Sequence, residues 1–102
     1  MRRWCDVLAE DQVALACQSI DFCLGATDVF EEWEFDTIFG FSRSALAEWA
    51  HSWSSREVDD TGVERLQVVV GQLLGYPGAR GRFGESKSER LISLEERLRE
   101  LG

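Results

Sequence analysis

Hydrophobic residues along this chain recur at the three- and four-residue spacing of amphipathic helices. The clearest stretch lies between Ala9 and Leu24, and Gly25 directly after it is a residue at which helices commonly end. The alternation of polar and apolar residues that is typical of strands is nearly absent. The pattern therefore predicts an all-α protein.

Four further helices are predicted downstream from capping residues and glycines. Asp28 with Glu31 resembles a capping box and predicts a second helix, which Gly40 would end. Ser42 is the predicted cap of a third helix. Residues Thr61–Glu64 match the S/T-x-x-E capping box and predict the start of a fourth, strongly apolar helix. This fourth helix is expected to be the most buried element.

The C-terminal third combines a glycine-rich stretch with a leucine-rich helix. Glycine occurs at every third position from Gly75 to Gly84, so residues 75–85 are predicted to form a flexible loop, whose Arg80 and Arg82 could fold back on the acidic part of the chain. A capping box at Ser86–Glu89 predicts the last helix. Its leucines, which could pack inside the protein or against a second copy, have coiled-coil spacing: Leu91, Leu94, Leu98 and Leu101.

The length of 102 residues suits one domain with a core of its own. Residues 1–102 are therefore predicted to form a single helical domain, a compact bundle of four to five short helices.

Charge is distributed unevenly. Residues 4–42 contain nine carboxylates and no Lys or Arg, and the whole chain has a net charge of −8. Such a surface attracts basic partners and repels polyanions. Since nucleic-acid and anionic-lipid binding depend on Lys and Arg, the charge disfavours both kinds of partner.

The cysteines and the chain start predict a cytoplasmic protein with reduced thiols. Cys5, Cys17 and Cys23 form an odd set without the paired spacing of a secreted disulfide scaffold. No stretch has the length of a membrane-spanning helix, and no apolar signal core follows the first residues.

Candidate catalytic and ligand-binding residues are sparse. His51 is the sole histidine, expected to be a partly buried helix residue, and no second cysteine pair or calcium-binding loop would complete a metal site. We therefore predict a protein without a cofactor, a metal or enzymatic activity. Residues 39–49 faintly resemble a DNA-binding helix-turn-helix, but between Ser42 and Ser55 they offer only Arg43 as a base, so DNA binding is a minor alternative.

The most informative segment is an aromatic cluster that is interleaved with acids between Phe30 and Phe41. Trp33 and Phe35 point about 200° apart on a helix, so one face cannot bury every ring. Either the chain bends and the rings form core, or one or two rings stay exposed as anchors for a partner. The predicted partner-binding residues are Glu31, Glu32, Trp33, Glu34, Phe35 and Asp36.

These features together predict a protein-protein interaction module, monomeric or weakly dimeric. The leading hypothesis is an acidic immunity or antitoxin-like inhibitor that binds and neutralises a basic protein toxin. The alternative is a homo-oligomeric scaffold or regulatory subunit that uses the leucine-rich last helix as its contact.

Overall fold

A computed structural model describes residues 2–101, and within this range all regular structure is helical apart from an isolated bridge between Arg3 and Glu57. The α-helices are α1 Trp4–Val7, α2 Glu10–Gly25, α3 Glu32–Phe39, α4 Arg43–Ala50, α5 Asp60–Gly75, α6 Pro77–Ala79 and α7 Ser88–Leu101. A 3₁₀ turn spans Trp53–Ser55 and a π-helical turn spans Arg80–Gly84.

The prediction of an all-α, single compact domain is confirmed. The radius of gyration of 12.7 Å is close to the ~13 Å typical of a compact domain of this length. The predicted number of four to five helices is wrong, because residues 2–101 form seven α-helices. The helices that were not predicted, α1 and α6, have four and three residues. Elements that short complete about one turn and leave no hydrophobic period in the sequence.

Helix α5 lies at the centre of the molecule, where it packs against α2 and α7. Its buried side chains include Leu66, Val70 and Leu73, all fully shielded from solvent. Leu91, Leu94 and Leu98 of α7 are also completely buried within the chain. The leucine-rich face of α7 therefore belongs to the core, and these three leucines are not available as a contact between two copies.

The capping predictions are confirmed in part. Ser42 caps α4, since its hydroxyl accepts a hydrogen bond from the Ala45 N–H at 3.0 Å. The predicted capping box at Thr61 is wrong, because α5 begins at Asp60 and is capped by Asp59, whose carboxylate accepts a hydrogen bond from the Gly62 N–H at 2.7 Å. The predicted cap of α3 is wrong. Asp28 lies in the turn before the helix, and its carboxylate accepts a hydrogen bond from Arg82 at 2.5 Å instead.

The glycine-rich stretch is helical through most of its length, which corrects the prediction of a loop over residues 75–85. Pro77 occupies the first turn of α6, where its missing N–H costs no hydrogen bond. Ala79 is fully buried, and the ring of Phe83 packs on Phe22 with 5.1 Å between centroids. These apolar contacts order a segment whose composition alone favours a loop. Arg82 does fold back on the acidic segment, as its bond with Asp28 shows.

The described helices include none that combines the length and the apolar composition needed to cross a bilayer.

Candidate partner-binding site

Helix α3 has one face in the core and one face in solvent. Phe35 and Phe39 lie on the inner face and are buried, with their rings stacked 4.3 Å apart. Glu32, Trp33 and Asp36 lie on the outer face and are exposed. The helix ends at Gly40, whose φ of +81° is in the left-handed region that favours glycine.

The aromatic cluster divides between core and surface. Phe30 and Phe39 are buried and lie edge to face, with 5.0 Å between centroids, and Phe41 is partly buried beside Phe39. Trp33 is 75% exposed. Phe35 is completely buried, so the prediction that it contacts a partner is wrong for the folded protein. The helical period predicted that the side chains of Trp33 and Phe35 point apart, and their exposure shows that the Trp33 indole is the outer one.

The indole of Trp33 is held at the surface by the residue that precedes α3. Its Nε1–H donates a hydrogen bond to the carboxylate of Glu31. Glu32 and Asp36 are exposed neighbours on the same helix, and Glu34 is partly buried at its side. We call Glu31, Glu32, Trp33, Glu34 and Asp36 the Trp33 patch.

The carboxylates of the Trp33 patch differ in how far the chain neutralises them. Glu32 pairs with Arg43, with 3.2 Å between its Oε2 and the arginine Nε. Within residues 2–101 no Lys, Arg or His group lies within 4 Å of Glu31, Glu34 or Asp36. The patch therefore presents three carboxylates without an internal cation beside a solvent-exposed indole.

Arg43, the first residue of α4, connects α3 and the turn before it to the C-terminal end of α2. Its guanidinium donates hydrogen bonds to the carbonyls of Cys23 and Leu24, at the C-terminal end of α2, and to the carbonyl of Phe30. The same group lies over the ring of Phe35, 4.6 Å from its centroid. Its buried Nε faces Glu32 without the alignment of a hydrogen bond.

The sequence analysis missed this role of Arg43, treating the residue as the one base of a possible DNA-reading helix. A pattern that could have revealed it is the position of Arg43 directly after an acidic stretch that lacks other bases. In the structure only 14% of its side chain is exposed. The bonds that it makes fix the turn between α2 and α3, and with it the start of α3.

An exposed ion pair ties the turn before α3 to the π-helical turn. The hydrogen bond from Arg82 lowers the pKa of the Asp28 carboxyl, helped by backbone N–H groups of the turn. The pKa of the Arg82 guanidinium is raised by the same contact. Asp28 is thus partnered within the chain and does not add a free charge to the Trp33 patch.

The structure does not bring together residues for the other kinds of site considered from the sequence, which are a DNA-binding surface, a catalytic histidine and a metal site. Helices α3 and α4 follow one another with a short turn between them, but the Arg43 side chain is only 14% exposed, and Ser44 and Glu48 are the exposed residues of α4. His51 is exposed in the turn after α4, which corrects the expectation of a partly buried helix residue. Among the described residues no three His, Cys, Asp or Glu side chains are grouped as a metal site would need.

Comparisons of the chain with protein-family models, with curated proteins and with solved structures found no match. Function is therefore inferred from the geometry of the Trp33 patch itself.

Proposed function

We propose that this protein is a non-enzymatic inhibitor of the immunity or antitoxin type, which binds and neutralises a basic protein toxin through the Trp33 patch. The observation that carries the proposal is the exposure of Trp33. An indole that is 75% exposed leaves a large apolar area in water, and aromatic side chains of this kind are enriched among the anchors of protein interfaces.

Electrostatics support a basic partner. Glu31, Glu34 and Asp36 have no cation within 4 Å among the described residues, and the acidic segment from Trp4 to Ser42 surrounds them in sequence. Carboxylates around an anchor increase the rate at which an oppositely charged surface associates. An inhibitor that must capture a toxin quickly gains from such steering.

The rigidity of the site also supports a binding role. Phe35 holds α3 to the core, with its buried ring against the Arg43 guanidinium, and Arg43 fixes the preceding turn through three main-chain carbonyls. A surface that is already ordered in the free protein loses little conformational entropy on association.

The three free cysteines fit a reducing compartment such as the cytoplasm, and the two that are buried or partly buried, Cys23 and Cys17, support a role without nucleophilic catalysis. Burial raises the pKa of the Cys17 thiol, aided by the negative charge of Asp21. Burial raises the pKa of Cys23 to about 12, and Arg43 only partly opposes this shift. Neutral thiols are poor nucleophiles.

The direct test is capture of the partner from the native host. Tagged protein is used as bait at low salt, the column is washed with stepwise higher salt, and the eluted proteins are identified by mass spectrometry. We expect one basic protein in stoichiometric amount, whose toxicity in cells is suppressed when this chain is co-expressed. A bait that recovers only copies of itself would contradict the proposal and favour the self-associating scaffold.

The role of Trp33 is tested with Trp33→Ala against Ile92→Ala, which truncates another exposed large hydrophobic residue, 46% exposed, on α7. We expect Trp33→Ala to weaken partner binding by about 2 kcal/mol or more, roughly 30-fold in Kd, with unchanged thermal stability. Ile92→Ala should leave the Kd within about twofold of the wild type. Equal affinities of the two variants would place the interface elsewhere.

The role of charge is tested by Glu34→Lys with Asp36→Lys, which leaves the bond between Glu31 and the indole intact. The control is Glu10→Lys with Asp21→Lys, which makes the same change in net charge with exposed residues of α2. We expect the first pair to slow association more than the control does and to weaken its salt dependence. Identical association rates for both pairs would refute local steering by the patch.

A further inference from the structure

Cations cover several aromatic rings of this protein. Arg82 lies over Phe22, and the guanidinium of Arg65 lies 5.4 Å from the centroid of Phe41. Lys87 lies over Phe83 at 4.5 Å. Trp33, the most exposed of the large hydrophobic side chains, has no Lys or Arg over its ring in the part of the chain that the structure describes.

The contacts of Arg43 show how α3 accommodates a guanidinium. Arg43 lies over the ring of Phe35 at 4.6 Å, and its Nε is 3.2 Å from a carboxylate oxygen of Glu32. A ring and a carboxylate of the same helix thus bind one guanidinium together. The outer face carries the same kinds of group, since Trp33 lies beside Glu31 and three residues before Asp36, but it lacks the cation.

We propose that an arginine of the partner protein completes this outer arrangement. Its guanidinium stacks on the face of the Trp33 indole and pairs with the carboxylates of Glu31 and Asp36. This inference rests on the proposed function and specifies the chemistry of the partner at the same site. The hydrogen bond of Nε1 to Glu31 engages an edge of the indole and does not use its face.

Arginine fits this site better than lysine for a physical reason. The planar guanidinium stacks on an aromatic face while its N–H groups still reach carboxylates at the side. A lysine ammonium is a compact, strongly hydrated charge that cannot stack in this way. Citrulline has a neutral urea group in place of the guanidinium, so it keeps the shape of arginine but loses both the charge pairing and the cation–π attraction.

The test measures binding of short peptides to the full-length protein at low salt. Acetylated, amidated peptides of one sequence carry either two arginines, two lysines or two citrullines. The reporter is the indole Nε1–H resonance of Trp33 in a ¹H–¹⁵N spectrum, assigned by its loss in Trp33→Phe. The remaining tryptophans, Trp4, Trp49 and Trp53, are 1%, 6% and 2% exposed, so their resonances serve as internal controls.

We expect the arginine peptide to shift the Trp33 resonance with a Kd about fivefold lower than that of the lysine peptide. The citrulline peptide should cause no shift. Glu31→Gln with Asp36→Asn should weaken the arginine peptide by about fivefold or more, although the glutamine can still accept the indole hydrogen bond. Glu10→Gln with Asp21→Asn, the control with the same loss of charge, should bind the peptide nearly as the wild type does.

Three results would overturn the inference: equal affinities for the arginine and lysine peptides, equal binding of the citrulline peptide, or no shift of the Trp33 resonance by any peptide. Failure here is distinguishable from failure of the proposed function. If a basic partner binds through Trp33 but none of the partner's arginines affects the affinity, the proposed function stands and the arginine contact is refuted. If the arginine peptide binds but the bait captures no partner, the arginine contact stands and the proposed inhibitor function is refuted.

Discussion

Replacement of Arg43 by methionine keeps a flexible side chain of similar apolar length but removes every donor of the guanidinium. The carbonyls of Cys23, Leu24 and Phe30 then lose hydrogen bonds from a charged group. The stacking of the guanidinium on Phe35 and the ion pair with Glu32 are lost at the same time. The turn between α2 and α3 is the part of the fold that these bonds order.

The size of the effect follows from these contacts. Hydrogen bonds that involve a charged group contribute about 1.5 kcal/mol each at the lower end of the measured range, so three contribute about 4.5 kcal/mol. Stacking on Phe35 adds about 0.5 kcal/mol. The variant no longer has to desolvate a guanidinium, which offsets roughly 2 kcal/mol. The free energy of unfolding should therefore fall by about 3 kcal/mol, which corresponds to a decrease in Tm of roughly 15 °C for a domain of this size.

Urea unfolding followed by far-ultraviolet circular dichroism measures this change, with thermal scans as a second determination. Glu32→Gln is the matched control, because it removes only the ion-pair partner of Arg43. Since the Glu32 side chain is 80% exposed, this variant should lower the free energy of unfolding by less than about 0.5 kcal/mol. Arg43→Lys keeps the charge without the planar fork and should lie between the two, at a loss of about 2 kcal/mol.

The argument from Arg43 would be refuted by an Arg43→Met variant that unfolds within about 0.5 kcal/mol of the wild type. An Arg43→Lys variant as stable as the wild type would show that charge alone, not the set of three carbonyl contacts, orders the turn.

Two further predictions concern stability. Gly40→Ala should lower the free energy of unfolding by about 1 kcal/mol in urea titrations, because φ at this residue is +81°. Gly71→Ala should raise it by about 0.5 kcal/mol, because Gly71 lies within α5 and a Cβ there meets no atom within 4 Å. A change of the same sign in both variants would be inconsistent with this reasoning. Burial raises the pKa of the Cys23 thiol from 9.0 to about 12, so the folded state favours the neutral thiol. The stabilisation that this difference gives the folded state is complete below pH 9 and declines by about 1.4 kcal/mol per pH unit as the pH rises toward 12. Urea titrations in reductant should show a steeper alkaline loss of stability for the wild type than for Cys23→Ala, and parallel curves would exclude this contribution.

The sequence predicted the long helices because their hydrophobic spacing continues over several turns. Helices α2, α5 and α7 each bury such a face, and Gly25 is the last residue of α2 as its position suggested. The short helix α1 was beyond this kind of inference because it completes about one turn. Its buried residue Trp4 packs edge to face on Trp53, a contact between distant parts of the chain.

Errors near α3 have a common physical cause, which is competition from residues far away in sequence. Asp28 is a suitable helix cap, but Arg82, which follows it by 54 residues, binds its carboxylate. The same contact and the burial of Phe83 make the glycine-rich stretch helical. Local propensity carries no information about such partners.

The candidate site was predicted in outline, and its division into inner and outer residues was not. Helical geometry places Trp33 and Phe35 on different faces, but either face could have met the core. The spacing of Phe35 and Phe39, four residues apart, puts two rings on one side, and they stack with each other in the core. Arg43 covers Phe35 from α4, which only the folded chain reveals.

The fold itself accounts for part of the acidic character of the Trp33 patch. Glu31, Glu32 and Glu34 lie at the N-terminal end of α3, where the helix dipole favours negative charge by roughly 0.3–1 kcal/mol per residue. Asp36 lies past the first turn and gains little from the dipole, and the indole of Trp33, 75% exposed and bonded only to the exposed Glu31, gains little from folding. These two residues are therefore the ones that stability leaves unexplained, and substitutions at Trp33 and Asp36 distinguish a binding surface from a well-capped helix most directly.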